Sequence, residues 1–346
     1  MIDPLSCRHS HGRPHDQPAA HARGPDDGRR EEAATSDVTD LRAARRKARD
    51  VVRGIEGDVM DFLERRGIEL VTEGADAERR IGEEITRICA DGFRDELIPW
   101  LEERHSTVMG RAIRAALDRL ATTLRDFEGG DFDRSKLILK VFDRKDAELS
   151  SAVSEVDAGL LYKDDGSLAT EAGDRITRHL RLGLSLDEGI DELGRRVSMI
   201  LTDGDPPDRG EKGVTGHTIK TKAELIAHDS IHDAYITAAT RRYLAHGFKY
   251  ARYDAVVDTK TTALCRRMNE ELIDMTETPH LIPPNHPWCR SGIRPVLDPK
   301  GHKPLTDERV ADEHLRKIFE TASFRPTVID PEKELRSTPL TTSISP

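Results

Sequence analysis

The sequence predicts an α+β fold: a mainly helical N-terminal region, then a C-terminal domain of helices plus a few short strands closed by a Cys/His-Pro knuckle. Three observations predict it. Charged residues make up 34% of the 346 residues and aromatics only 4%, so the core must come mostly from Leu, Ile, Val and Ala. That composition suits helices with narrow apolar stripes better than a large sandwich or barrel. Apolar residues recur every three or four positions through much of the first 160 residues, which is the helical period. Cysteine, histidine and proline, by contrast, concentrate in one stretch, Asp254–Arg294, directly after a strand-like run.

Taken in order, residues 1–36 are rich in His, Pro, Gly and charge and too poor in apolar side chains to offset ordering entropy, so they are expected to be disordered. His9, His11, His15 and His21 fall there, and a His-rich tract is only a compositional pointer to metal. From Asp37 to Arg66 the positions Leu41, Ala44, Ala48, Val52, Ile55, Val59 and Phe62 form one stripe, a helix expected to stop at Gly67. Its basic run (Arg42, Arg45, Arg46, Lys47, Arg49) reads most simply as a solvated face, although it can meet nucleic acid or an acidic partner. A second helix is expected over Ala75–Leu101 through Ile81, Ile85, Ile88, Phe93 and Leu97, with Cys89 as a buried thiol on its apolar side. A third follows over Thr107–Phe127 through Ile113, Leu117, Leu120 and Leu124. A fourth is expected from Phe132 onward, carrying Leu137, Val141, Leu149, Val153 and Val156. These helices make up a domain over residues 37–160.

A turn cluster at Tyr162–Ser167 marks the boundary to a second domain, residues 161–300. Within it Glu171–Leu182 reads as weakly helical. Ser185-Leu186-Asp187-Glu188 reads as a capping box opening the next helix, with Leu186, Ile190, Leu193, Val197 and Ile200 on one side. The Pro/Gly-rich stretch 203–216 reads as an exposed loop. A long helix over Lys222–His246 ends at Gly247. His228 and His232 sit on it four apart and share a face, but H-D-S-I-H-D lacks the glutamate of a metalloprotease motif, so satisfied or exposed histidines are the better reading. Strand-like runs are expected at Phe248–Val257 and Gly292–Leu297. Residues 301–346 are expected to hold one helix, Asp307–Thr321, and a Ser/Thr/Pro-rich tail.

Composition narrows the function. A formal net charge of −10, with 64 acidic against 54 basic residues, argues against coating nucleic acid through bulk electrostatics. Four cysteines spread over positions 7, 89, 265 and 289 do not make a secreted disulfide scaffold, so a reducing compartment is expected. No apolar run of membrane-spanning length and no signal-peptide core is visible, and a soluble protein used in the cytoplasm is expected.

The distinctive chemistry lies in Cys265, His286 and Cys289. The prolines of P-P-N-H-P-W-C-R cannot continue a helix, so that run must be a rigid extended knuckle facing Cys265. Three readings compete. A structural metal site, with zinc the natural ion, would use the two thiolates and the imidazole, with Asp258, His280 or water as a fourth ligand. A knuckle without metal would rest on a Cys265–Cys289 disulfide or thiol contact, with His286 and Trp288 pinning the loop. A catalytic cysteine with His286 as base would also need an oxyanion site, and none is identifiable.

The pattern D-x-x-T, then C-R-R-M, then P-P-N-H-P-W-C-R resembles the C-terminal domain of the phage Mu F-like head morphogenesis (minor head protein) family. Asp258 and Thr261 match its opening; Cys265 matches the second cysteine of its C-x-x-C pair. Pro283, Pro284, His286, Pro287, Cys289 and Arg290 match its closing run. The resemblance spans roughly residues 180–298. It departs at Thr262 and Ser291, where family members often carry further cysteines, so one cysteine is missing from each side and a four-cysteine metal cluster is untenable. The family's R-T-E element is represented at best by His228, Asp229 and Ser230.

The resemblance implies a minor capsid protein of a tailed virus or prophage, acting in head assembly near the portal and residing in the virion after assembly in the host cytoplasm. It implies the portal protein and the major capsid or scaffold protein as partners, and no enzymatic activity. The competing class is a virion-packaged enzyme, either a metal-assisted nuclease or a toxin-like transferase. Against it stands the lack of paired carboxylates, a glycine-rich phosphate loop or a metalloprotease motif.

Overall fold

The computed structural model describes residues 27–73, 75–128, 144–163, 166–186, 188–203, 218–299 and 301–305. The expectations for residues 1–26, for the start of the fourth helix at Phe132, for the 204–217 loop and for the C-terminal helix and tail lie outside the described residues. Helices dominate, and a three-stranded antiparallel sheet stands at the C-terminal end, as the fold class predicts.

The first helix, α1 (Asp27–Glu73), is longer at both ends than its stripe foretold. Ten residues read as disordered belong to it, and Gly67 lies inside it rather than ending it. A glycine costs a helix about 1 kcal/mol, which neighbouring turns can absorb. Leu41, Ala44, Ala48, Val52, Ile55 and Val59 are all buried, as expected.

The second and third helices do not part between Leu101 and Thr107. Instead α2 (Ala75–Gly92) passes through one π-helical turn, Phe93–Leu97, straight into α3 (Ile98–Glu128). Pro99 supplies a physical reason. It lacks the N–H that would bond four residues back, and its ring would crowd that carbonyl. The wider turn, in which the Ile98 N–H donates to Phe93 O, lets the helix continue across it.

After α4 (Arg144–Tyr162), Ser167 caps α5 (Leu168–Ser185) by accepting from the Thr170 N–H. On α4 Val153 is buried, whereas Val156 is 54% exposed and belongs to the outer face. The expected capping box is absent. Ser185 is the last residue of α5 and donates to the Leu182 carbonyl. Leu186 is exposed, and α6 (Ile190–Ser198) starts from Gly189. Glu188 pairs with Arg196 instead. A second π-helical turn, Met199–Asp203, completes this segment.

The centre of the molecule is α7 (Ile219–Ala245), which packs against α1, α3 and α4. Every residue from Ala227 to Thr240 is buried, polar ones included. Thr218 caps its start, and Gly247, at φ 80°, ends it as expected. One continuous apolar core runs from Leu41 of α1 to Leu305.

The sheet has the order β2–β1–β3, with β1 (Tyr250–Asp254), β2 (Leu272–Asp274) and β3 (Gly292–Val296). Strand β2 was not among the expected strands; three residues are too few for alternation to register. Ala251 and Tyr253 face the helices beside their partners Ile273 and Ile293. Arg119 of α3 donates to the Ile293 carbonyl at 3.0 Å, covering the β3 edge, and the Leu305 N–H donates to Leu272 O at 2.7 Å on the β2 edge. No helix among the described residues is long and apolar enough to cross a membrane.

Candidate functional site

Three short elements bring the knuckle together. Strand alternation turns Tyr253 of β1 inward. The loop after β1 leads to α8 (Ala263–Met268), where Thr262 is the cap and accepts from the Cys265 N–H at 3.3 Å. That cap places Cys265 on the buried side of the helix. The run from Leu281 to Cys289 then folds back over both. It contains a cis peptide bond between Pro283 and Pro284, which are both buried. Buried Asn285 fastens its middle, with Nδ2 donating to the Leu281 carbonyl at 3.1 Å and to the Tyr253 hydroxyl at 3.4 Å. The Cys289 N–H donates to His286 O at 3.2 Å, so the histidine and second cysteine share one tight turn.

The three sequence-predicted ligands converge. Cys265 Sγ lies 2.9 Å from His286 Nε2 and 4.0 Å from Cys289 Sγ, and all three ligand atoms lie within 4.8 Å of one another. Both cysteines are free thiols, so the disulfide version of the metal-free reading is not realised; the contact is thiol to thiol. Neither Asp258 nor His280 joins the group.

Asp258, Thr261 and Arg290 form a separate knot beside it. Arg290 grips Asp258 through both carboxylate oxygens, at 2.8 and 2.7 Å. Thr261 Oγ1 accepts from the Asp258 N–H at 2.7 Å and donates to the Val256 carbonyl. The Arg290 guanidinium holds the Asp258 carboxyl well below its usual range. This knot fastens the loop after β1 to the end of the knuckle. Pro287 is exposed, and its carbonyl lies 2.7 Å from His286 Nδ1.

The two thiols act on each other in opposite directions. Hydrogen bonding from Cys289 draws the Cys265 pKa down against the opposing effect of burial, with His286, Ser291 and Tyr253 acting in the same direction as Cys289. Cys289 is correspondingly pushed up by that same bond and by burial. Burial alone would lower His286, but its hydrogen bond and charge contact with Cys265 raise it overall. Cys89, by contrast, sits alone in the core, where burial pushes its thiol up to about 12.

Several contacts of the site escaped the sequence reading. The Trp288 N–H donates to Asp229 Oδ1 at 3.1 Å, and the same oxygen lies 2.8 Å from His228 Nδ1. The Trp288 ring stands 5.1 Å from His228 and lies under the Arg45 guanidinium at 5.5 Å. Trp288 adopts φ 62°, a left-handed conformation unfavourable for a bulky residue. The anchored N–H and the two ring contacts hold it there. His228 and Asp229 are thus a latch between α7 and the knuckle, and His228 and His232, with ring centroids 6.3 Å apart, are both buried. Tyr253, Asn285 and Arg45 carried no spacing signal. An open groove of about 380 Å³ between α1 and α2, lined by Asp58, Asp61, Glu84 and Asp91 among others, shares no residue with the knuckle.

Residues 171–294 match the family model described as Phage Mu protein F like protein. The C-terminal region is Mu F-like. No curated protein and no solved structure matches the chain. The Mu F-like region ends at Arg294, within β3, and contains the whole cluster.

At the two positions where the resemblance places further cysteines, the side chains remain in the cluster. Thr262 Oγ1 lies 3.0 Å from His286 Nε2, and Ser291 is buried two residues beyond Cys289, where it helps to draw the Cys265 thiol pKa down.

The Mu F-like cluster can hold a metal ion. Tetrahedral zinc thiolates would stand roughly 3.8 Å apart, close to the 4.0 Å found. The contact between His286 Nε2 and Cys265 would have to open by about half an ångström to admit the ion. The tautomer is already suitable, because the Nδ1–H directed at the Pro287 carbonyl leaves the Nε2 lone pair facing the sulfurs. A bound ion would supply structural cross-linking, with Cys265, His286 and Cys289 as its protein ligands. Protein purified without chelator is expected to carry about one zinc per chain and to lose it in Cys265→Ser. Elemental analysis showing a folded, metal-free wild-type chain would leave the thiol–imidazole contact as the sole clasp.

Proposed function

We propose that the protein is a minor capsid protein of a tailed virus or prophage, active in head morphogenesis near the portal and without enzymatic activity of its own. One observation carries the reading: the region that builds the knuckle, residues 171–294, matches the Phage Mu protein F like model. The knuckle supports it as a structural device, since Cys289 is wholly buried, Asn285 and Tyr253 fill the space behind it, and the open groove lies elsewhere.

In this reading the clasp fixes the C-terminal end of α7 and the sheet, and the helices over residues 37–160 present the surfaces that meet the portal protein and the major capsid or scaffold protein. The protein assembles in the host cytoplasm and resides in the head. The deciding experiment combines gene deletion with copurification. A tagged chain is expected to bring down the portal protein encoded at the same locus, and deletion of the gene is expected to yield defective heads. Normal, DNA-filled heads after deletion would overturn the assignment.

A further inference from the structure

We propose that Cys265 and Cys289 form a peroxide-sensitive redox clasp, in which Cys265 is the residue oxidised and Cys289 the residue that resolves it into a disulfide. The inference concerns the chemistry of the knuckle and stands whether or not the chain acts in head assembly.

The geometry supplies each part. The two sulfurs are unbonded and 4.0 Å apart, so small side-chain rotations bring them to the roughly 2.05 Å of a disulfide. Their surroundings are unequal. Cys265 has a proton acceptor at 2.9 Å, the Nε2 of a half-buried His286, and an exposed Thr262 beside that same nitrogen. Cys265 therefore lies one side chain below the surface. Cys289 is fully buried beside it, and the buried Tyr253 hydroxyl lies 3.3 Å from Cys265 Sγ and 4.0 Å from Cys289 Sγ. An oxidant entering past His286 and Thr262 meets Cys265 first.

The step balances with hydrogen peroxide as the oxidant. The Cys265 thiol passes its proton to His286 Nε2, and the sulfur attacks one peroxide oxygen. An S–O bond forms, the O–O bond breaks, and the departing hydroxide takes the proton back from His286 as water. Cys265 is then a sulfenic acid. Cys289 attacks that sulfur, the S–O bond breaks, and the hydroxide leaves with the Cys289 proton as a second water. Two thiols and one peroxide have become one disulfide and two waters.

A metal ion and this disulfide exclude each other, because both need the same sulfurs. The knuckle therefore has one closed form under reducing conditions and a covalent one under oxidising conditions. Thr262 and Ser291 matter here, since a hydroxyl at each position leaves a single possible partner for Cys265 within the cluster.

The test treats the reduced full-length chain, with zinc and after chelation, with equimolar hydrogen peroxide, blocks remaining thiols and maps the peptides. The expected product is a linked pair of peptides containing Cys265 and Cys289, two hydrogens lighter, reversed by dithiothreitol, with zinc released as the link forms. Cys89 is expected to stay reduced. In Cys289→Ser, dimedone is expected to label Cys265. Should that variant fail to fold, the wild-type map still decides. Recovery of Cys265 and Cys289 as alkylatable thiols after such treatment would overturn the proposal, as would linkage of either to Cys89 or to a second chain.

Discussion

Raising the pH from about 6.5 to about 8 is expected to destabilise the fold by about 2 kcal/mol through a single buried carboxyl, and Asp157→Asn is expected to remove that share of the loss. Asp157 of α4 is buried where α3, α4 and α7 meet. Ser230 of α7 donates to its Oδ2 at 2.7 Å. His105 of α3 places Nε2 2.6 Å from the Ser230 hydroxyl and 3.2 Å from the same carboxyl oxygen. Asp233 faces it from α7, and Ser154, one turn back on α4, donates to Glu102 of α3. Burial, opposed by the Ser230 hydrogen bond and helped by Asp233, pushes the Asp157 pKa up to about 8. Burial pulls His105 down to about 4.

The signs then fix the window. A carboxyl raised in the folded state stabilises fully below its unfolded pKa of about 3.9, and that stability is lost as pH climbs to its folded pKa. A histidine depressed in the folded state has the opposite slope, between about 6.5 and its folded pKa. From about pH 4 to 6.5 the two slopes cancel; above 6.5 only the Asp157 slope remains, at about 1.4 kcal/mol per pH unit. In the same window His286, raised, and Cys265, lowered, have slopes of opposite sign, and both are common to wild type and variant. The difference between wild type and Asp157→Asn therefore reads Asp157 alone. Asparagine mimics the neutral acid, keeping at the Oδ2 position an oxygen that accepts from Ser230 and faces His105 Nε2. Denaturant unfolding at a series of pH values measures both curves, and parallel curves would show that Asp157 is ionised in the folded protein.

Asp229→Ala is expected to cost about 3 kcal/mol and to loosen the knuckle before the helices unfold. One buried carboxylate oxygen serves both the half-buried Trp288 backbone and the buried His228. Its removal orphans the Trp288 backbone N–H and frees a left-handed Trp288 to relax. Asp229→Asn keeps the acceptor and should lose far less. Of the chain's two tryptophans, Trp288 reports the event, so a Trp100→Phe background makes its fluorescence specific. A red shift that precedes loss of helical circular dichroism is expected in the alanine variant. Coincident transitions at wild-type stability would mean that Asp229 holds nothing in place.

These two sites show what pattern reading can reach. The stripes of α1, α2 and α3 were legible because one face of each meets the core and the other meets solvent, so burial writes a period into the sequence. The breaks between elements were less legible. Gly67 and the 101–107 stretch looked like ends, yet the helices run through both. On α7 itself the period vanishes, because neighbours surround it and polar residues are buried as pairs. Ser230, His228 and Asp229 could not be told from solvated residues until α3, α4 and the knuckle were placed around them. Strand β2, three residues long, is set by its pairing with β1 rather than by any pattern of its own.

For the knuckle, the sequence by itself marked the candidates. Prolines fix a rigid extended turn, and Cys265, His286 and Cys289, with Asp258 or His280 as a further ligand, offer the side chains that can meet at it. Only the tertiary structure decided their state and their support: a thiol contact instead of a disulfide, hydroxyls from Thr262 and Ser291 in the same cluster, and a latch through Trp288 to Asp229 on a helix some sixty residues away in sequence. Those are long-range contacts between polar side chains. Their geometry depends on how separate elements pack, and one residue's spacing from its neighbours in the chain carries no record of it.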